Sequence, residues 1–393
     1  MEHKKTILVL VCVFLLGLAI PARKAAAQTL LVQPYITLDY DPVYFDPFAG
    51  ETGLNARALN FNQAGIKFTG TVSTVTAFIE ARGYPGYSAA GGGNYEPGST
   101  PFYNHADPEP KWFSPSPVYY AWAKWQATET GNLWAGKFKP FFGPALFDQS
   151  HYGIGWQQKI SGVTVNVFAM QPRRWDSNLF TVSGMPAEPV HYWEGLRILA
   201  SAERFKAGGL TVAGGALFDW LPNGEKDAYR LTGDVYVSYT GIKNLTLIGE
   251  AACIVNIYED GIKIKSTEAP ESAAVGLGVY INAEYKPLSP LACGLTFTLK
   301  DACLGADKNA PYDGLSSYSG FVAQKVDGEI NTATVGIYGK YAPHKSFYIQ
   351  PQVNIKFANA LNGYTPPDGK QAGVDFQIRF RWEPSFVIKQ DAQ

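Results

Sequence analysis

The stretch Val374 to Trp382, VDFQIRFRW, ends eleven residues before the C-terminus and sets an apolar or aromatic residue at every second position. Asp375, Gln377, Arg379 and Arg381 fill the positions between them. A period of two is the mark of a β-strand with one dry and one wet face. What covers the dry face decides the fold.

The alternation recurs upstream. In Phe347 to Phe357 the odd positions are Phe, Ile, Pro, Val, Ile and Phe, and the even ones are Tyr348, Gln350, Gln352, Asn354 and Lys356. Val275 to Tyr285 and Leu291 to Leu299 behave alike, as do Leu210 to Trp220, Leu231 to Tyr239 and Leu245 to Ile257. Tight turns are expected near Thr130-Gly131, Ser161-Gly162, Ala207-Gly208-Gly209, Gly241-Ile242-Lys243, Leu288-Ser289-Pro290 and Pro343-His344-Lys345. Between them fall longer segments rich in Gly, Pro and Asp: 84–116, 140–151, 172–190, 221–228, 259–272, 302–330 and 359–371. Short and long connections alternate, so one end of the sheet carries turns and the other carries loops. Nearer the N-terminus the rhythm predicts strands over 31–40, 57–69 and 72–82, with a loop over 41–56 and a turn near Gly70. The count is then sixteen, or fourteen if the N-terminal pair stands outside the wall.

The N-terminus narrows the compartment. Lys4 and Lys5 precede an apolar run from Ile7 to Ile20, and Ala25, Ala26 and Ala27 offer a small-residue cleavage site, so 1–27 reads as a secretory signal peptide. No later run reaches the roughly 18 apolar residues of a membrane helix. Charged residues make up 17% of the chain, below the roughly 25% of ordinary soluble domains, and aromatics make up 14%. A net charge of −1 argues against a nucleic-acid partner. Of the mature cysteines Cys253, Cys293 and Cys303, the last two share one expected strand, too far apart to bridge. They read as small apolar residues rather than as a disulfide or metal site.

A β-sandwich would alternate in the same way. The strands here run to ten or more residues, long enough to cross a bilayer at a tilt. Tyr239, Tyr285, Tyr341, Phe347, Trp220 and Trp382 cluster at strand ends, where membrane barrels carry aromatic girdles. The dry face is therefore assigned to lipid. In hydrocarbon an unpaired N–H or C=O costs several kcal/mol, so the sheet must close. Arg379 or Arg381 turned outward would cost about 2–4 kcal/mol near the midplane, so both must face a polar lumen. The fold expected is an all-β, transmembrane, antiparallel up-and-down β-barrel over 28–382, followed by a C-terminal extension over 383–393.

The segment Asn132 to Gly143, NLWAGKFKPFFG, resembles a strand common in sixteen-stranded bacterial outer-membrane porins of the phosphate-selective type. Leu59 to Arg82 is similar to their N-terminal region, and the strand ending at Trp382 resembles the aromatic-ended signal read by the barrel-assembly machinery. This resemblance implies a water-filled channel for passive diffusion of small hydrophilic solutes or ions, set in outer-membrane lipid, with a homotrimer as the family's assembly. The sequence departs at its end, where EPSFVIKQDAQ follows Trp382, and it shows no arginine ladder for phosphate.

Assigning the polar face of each strand to the lumen gives cations Lys67, Arg82, Lys124, Lys137, Lys139, Lys159, Arg197, Arg230, Lys286, Lys300, Lys340, Lys356, Arg379 and Arg381. The anions are Asp39, Glu80, Glu203, Asp219, Asp234, Glu250, Glu284 and Asp375. Fourteen against eight predicts a weak anion preference, since rings of Lys and Arg favour anions. Pairing of these charges across the wall is the competing expectation. Lys137 and Lys139 are expected to project inward beside the porin-like motif. The 33-residue loop from Tyr84 to Ser116 could constrict the lumen with Asp107, Glu109 and Lys111, latch a neighbouring subunit or lie on the surface; 301–330 is a second candidate.

No metal, cofactor or catalytic motif is found. The cluster Asp148, Ser150 and His151 only superficially suggests a rim protease. Two other barrels remain open: a transporter of hydrophobic compounds of the FadL type, with residues 28–56 as an N-terminal hatch, and a surface adhesin.

Overall fold

The structure, a computed structural model, describes residues 28–46, 51–54, 59–83, 118–146, 151–171, 180–182, 195–223, 226–258, 262–264, 267–268, 273–304, 332–358 and 372–390. The signal-peptide expectation over 1–27 lies outside them. So do all of 84–116 and 305–331, including Asp107, Glu109 and Lys111.

The elements are β1 (Gln28–Asp46), β2 (Glu51–Leu54), β3 (Leu59–Val72), β4 (Val75–Gly83), β5 (Val118–Gln126), β6 (Gly131–Phe138), β7 (His151–Ile160) and β8 (Val163–Met170). They continue with β9 (Phe180–Val182), β10 (Leu196–Ala207), β11 (Leu210–Asn223), β12 (Lys226–Tyr239), β13 (Leu245–Tyr258), β14 (Ile262–Ile264) and β15 (Thr267–Glu268). The last are β16 (Ala273–Leu288), β17 (Leu291–Leu304), β18 (Thr332–His344), β19 (Phe347–Ala358), β20 (Ala372–Trp382) and β21 (Phe386–Gln390).

Sixteen of these close a barrel of antiparallel neighbours. Each pairs with the next in chain order, and β20 returns to β1 through Ile36↔Trp382, Asp39↔Arg379 and Val43↔Phe376. The N-terminal pair is in the wall, which excludes fourteen. It also removes the hatch: 28–46 pairs along both edges with β3 and β20, and β2 folds back on the end of β1.

Register fixes what each face meets. Along β20, Val374 and Trp382 are exposed, as are Ile337, Leu295 and Ile281 on the next strands but one and beyond. Asp39, Thr298, Thr334, Gln352 and Asn354 on the opposite row are buried inside. Cys253 and Cys293 are free and exposed on the apolar side, in keeping with their reading as small apolar residues.

The turns largely match expectation, with two shifts. Ser161 and Gly162, at φ 46° and 87°, make the two-residue turn in which both positions need φ > 0, a hairpin geometry that matches strand twist. The first hairpin turns at Ser73-Thr74 rather than Gly70, with Ser73 at φ 53° and Val72 opposite Val75. The last turns at Lys345-Ser346, with His344 opposite Phe347. The expected loop over 221–228 is instead a prolonged hairpin, with Asn223 opposite Lys226. At the loop end β9 pairs with β14, and β14 with β15, joining two of the long connections.

The C-terminal extension is part of the wall. After a break at 383–385, β21 pairs with the first residues of β1, Phe386 opposite Val32 and Gln390 opposite Gln28. β20 and β21 thus form one interrupted strand along β1.

Candidate functional site

The lumen is divided by a segment that leaves the wall at Phe138. Lys139 to Leu146 crosses the interior and is tied to β12 and β13. Gly143 N–H donates to Asp234 Oδ2 at 3.1 Å, and Ala145 and Leu146 N–H donate to the two oxygens of Glu250 at 2.7 and 2.8 Å. Carboxylates are the right acceptors here, because a segment without regular structure carries backbone donors that must be paired once buried. The Phe141 ring meets Tyr236 edge-on at 6.2 Å. Phe142 and Leu146 are 2% and 0% exposed.

Gly215 on β11 makes room for Phe142: a Cβ there would lie 3.1 Å from the Phe142 ring and 2.8 Å from Ala200 O. The segment therefore rests on an apolar floor inside the barrel, made of Phe138, Phe168, Met170, Leu199, Leu217 and Ile254, all buried. Apolar burial between a barrel wall and its own loop holds that loop down as a core does.

The opposite wall, β16 to β20 with β1 and β3, presents polar side chains: Asn282, Thr298, Thr334, Gln352, Asn354 and Lys356 are buried there. Tyr338 Oη donates toward Asn282 Oδ1 at 3.2 Å and Glu284 Oε2 at 3.0 Å. Gln352 Nε2 donates to Asn354 Oδ1 at 2.8 Å.

Most of the expected lumenal cations are engaged. Arg197 forks onto Asp219, Nε to Oδ1 and Nη2 to Oδ2 at 2.5 Å each, with Arg230 at 4.0 Å from the same carboxylate. These three stand directly across β10, β11 and β12. Arg379 forks onto Asp39 at 2.8 and 2.9 Å, and Lys356 pairs with Asp375. Lys67 pairs with Glu383 at 2.5 Å, and Arg381 reaches the same carboxylate at 2.7 Å. Glu383 lay outside the sequence census and is a lumenal anion at the seam.

Glu383 sits beyond the spanning strands, and its carboxyl is held below the usual range. Burial opposes its ionisation, but the hydrogen bonds and charges of Lys67 and Arg381 outweigh that. Lys340 lies over the Tyr348 ring at 4.4 Å and Lys124 over Trp134 at 5.5 Å. Arg82 and Lys300 are placed by strand pairing alone, opposite Gly65 and Gly278. Lys159 and Lys286 are exposed near turns, and Lys139 stands half-buried at the root of the inward segment.

Lys137 departs from the expectation. It is paired with Ala121 and Tyr152, one position out of phase with the inward Trp134 and Phe138, so it lies on the outer face with its ammonium 5.6 Å from the exposed Tyr152 ring. The inward row is Asn132, Trp134, Gly136 and Phe138. Gly136, at φ 115°, takes a conformation closed to side chains, and a Cβ there would meet Ala121 O at 2.3 Å.

The inward segment was not singled out from sequence as the constriction. Its signal was legible in KPFFGPAL, since an apolar run inside a long connection has to be buried somewhere. Among the described residues, no group of three or more His, Cys, Asp or Glu could hold a metal. Asp148 and Ser150 lie outside those residues.

No protein-family profile matches the chain, and no curated protein matches it. Solved structures do. The outer membrane channel DcaP of Acinetobacter baumannii superposes with a TM-score of 0.55 at 10% identity, over 92% of this chain and 98% of that one. An anion-selective porin from Comamonas acidovorans gives 0.52 at 9%, over 92% and 100%. Salmonella typhi OmpF in complex with daunomycin gives 0.51 at 10%, over 91% and 97%. The likeness covers 91–92% of this chain and is one of fold, the sixteen-stranded antiparallel barrel being shared in outline with solved outer-membrane channels and porins.

Proposed function

We propose that this chain is an outer-membrane porin, a water-filled channel through which small hydrophilic solutes diffuse passively, with a weak preference for anions. One observation carries the reading: the barrel has an apolar outer row and a polar inner row, a tethered inward segment narrows the lumen, and residues 28–46 lie in the wall rather than in the lumen. A closed barrel with lipid outside and polar groups inside accommodates a water column along those polar groups. The solved neighbours, titled as porins and channels, accord with this reading.

The anion preference is weak because seven of the fourteen expected lumenal cations, Lys67, Arg197, Arg230, Lys286, Lys356, Arg379 and Arg381, carry a carboxylate partner. It rests above all on Lys124 and Lys340, which lie over aromatic rings and have no carboxylate partner among the described residues. The chain is read as a non-enzyme, assembled by the barrel-assembly machinery after signal-peptide removal. A homotrimer is the assembly expected by analogy of fold alone.

Purified protein in planar bilayers should give stable ohmic steps in KCl, with a reversal potential displaced toward chloride under a salt gradient. Absence of steps would reject the channel, and displacement toward potassium would reject the anion preference.

A further inference from the structure

One inner stretch of the wall is not polar. Phe78 on β4, Trp122 on β5 and Trp134 and Phe138 on β6 follow one another around the lumen, and Phe168 on β8 continues the run. Their ring centroids are 5.3, 4.7, 5.7 and 5.0 Å apart in that order. Tyr120 extends the run at 6.4 Å from Phe78. The far end, Phe138 and Phe168, is buried under the inward segment, whereas Phe78, Trp122 and Trp134 remain half-exposed beside it. All three lie a few residues above the turns at Ser73-Thr74 and 127–130, on the turn side of the constriction.

Two features set this run apart from packing alone. Half-exposed aromatic rings on the inner wall gain nothing from lipid and leave apolar surface in water, which is unfavourable unless something covers them. Lys124 is the cation beside them, with its ammonium over Trp134 and no carboxylate partner among the described residues. Glu80, one row above Phe78 and opposite Tyr120, is buried and accepts a hydrogen bond from Tyr35 Oη at 2.6 Å. Trp134 Nε1 is buried with no acceptor, so stacking rather than hydrogen bonding holds that ring in place.

We propose that Phe78, Trp122 and Trp134 form a binding shelf for planar organic anions, aromatic carboxylates above all. The solute ring lies on Phe78 and Trp122, and its carboxylate is met by Lys124. This rests on the channel reading and adds a solute class to it. A flat solute leaving the constriction would meet the shelf before bulk water.

The test uses the full protein in planar bilayers. Benzoate, acetate and benzyl alcohol are added separately to a KCl background, and the concentration dependence of the current reduction is read. Benzoate, with both ring and charge, should reduce the current at lower concentration than either partial analogue. Trp122→Ala and Lys124→Met should each weaken the benzoate effect about three- to tenfold, the range expected for losing one aromatic or cationic partner, and Lys124→Met should also move the KCl reversal potential toward potassium.

Equal action of benzoate and acetate, or an unchanged benzoate response in both variants, overturns the proposal. A response kept in Lys124→Met but lost in Trp122→Ala overturns its anionic part. If Trp122→Ala gives no steps, Trp122→Leu, which keeps apolar bulk without the ring face, takes its place. Failure of the wild-type protein to conduct at all would instead reject the channel reading.

Discussion

Glu250 does at the residue scale what a disulfide would do elsewhere: its two oxygens hold consecutive N–H groups of the inward segment against β13. Glu250→Ala should leave the barrel folded but release this tether, giving larger and noisier single-channel steps. Unchanged step size would show that Asp234 and the Phe142 slot suffice. Arg197 makes a different case. Its fork onto Asp219 is buried on both sides, so Arg197→Met leaves a carboxylate facing only Arg230 and should cost about 3–5 kcal/mol in urea unfolding from detergent. The outward placement of Lys137 predicts that Lys137→Glu leaves the reversal potential where it was. Lys124→Glu, inside, should move it toward potassium. These sites show where sequence reading failed: charge alone could not tell the two faces of NLWAGKF apart, because a lysine near a strand end can reach the interface from the lipid side.

At the scale of the element, the seam is the informative part. β1 is held by β20 and then by β21, and Glu383 in the break bonds Lys67 of β3 and Arg381 of β20 across it. Gln33 Nε2 adds a bond to Ser385 Oγ at 3.0 Å. Deleting 383–393 should therefore lower the temperature at which the barrel unfolds in detergent, as followed by heat-dependent gel mobility. The depressed Glu383 carboxyl makes this contribution depend on pH. It is fully present above the ordinary carboxylate range of about 4.3 and is lost as pH falls through the lower folded value. The difference in unfolding temperature between wild type and Glu383→Gln should hold near neutrality and shrink in strong acid. The alternation of VDFQIRFRW made β20 legible, but FVIKQ is too short and too evenly apolar for its pattern to announce a partner. The same limit explains the turn found at Ser73-Thr74 rather than Gly70. Gly is the common turn residue, but here the pairing of Val72 with Val75 prevailed over that local preference.

The whole molecule is defined by its two surfaces. Ile281, Leu295 and Ile337, on β16, β17 and β18, are exposed on the outer belt. Ile337→Arg should cost about 2–4 kcal/mol toward the bilayer midplane and reduce insertion into outer-membrane fractions, whereas the same change at an outer loop should not. The sequence by itself determined the strand class, a count of sixteen or fourteen, the lipid-facing row of most strands and the polar lumen, because a period of two and a closed hydrogen-bond ladder are local and topological demands that any such chain must meet. Only the tertiary structure decided which charges cancel, that 139–146 folds inward onto Asp234 and Glu250, and that the aromatic run lies on the inner wall. Those depend on which residues stand opposite one another across neighbouring strands and across the lumen, and no spacing along a single strand contains that information.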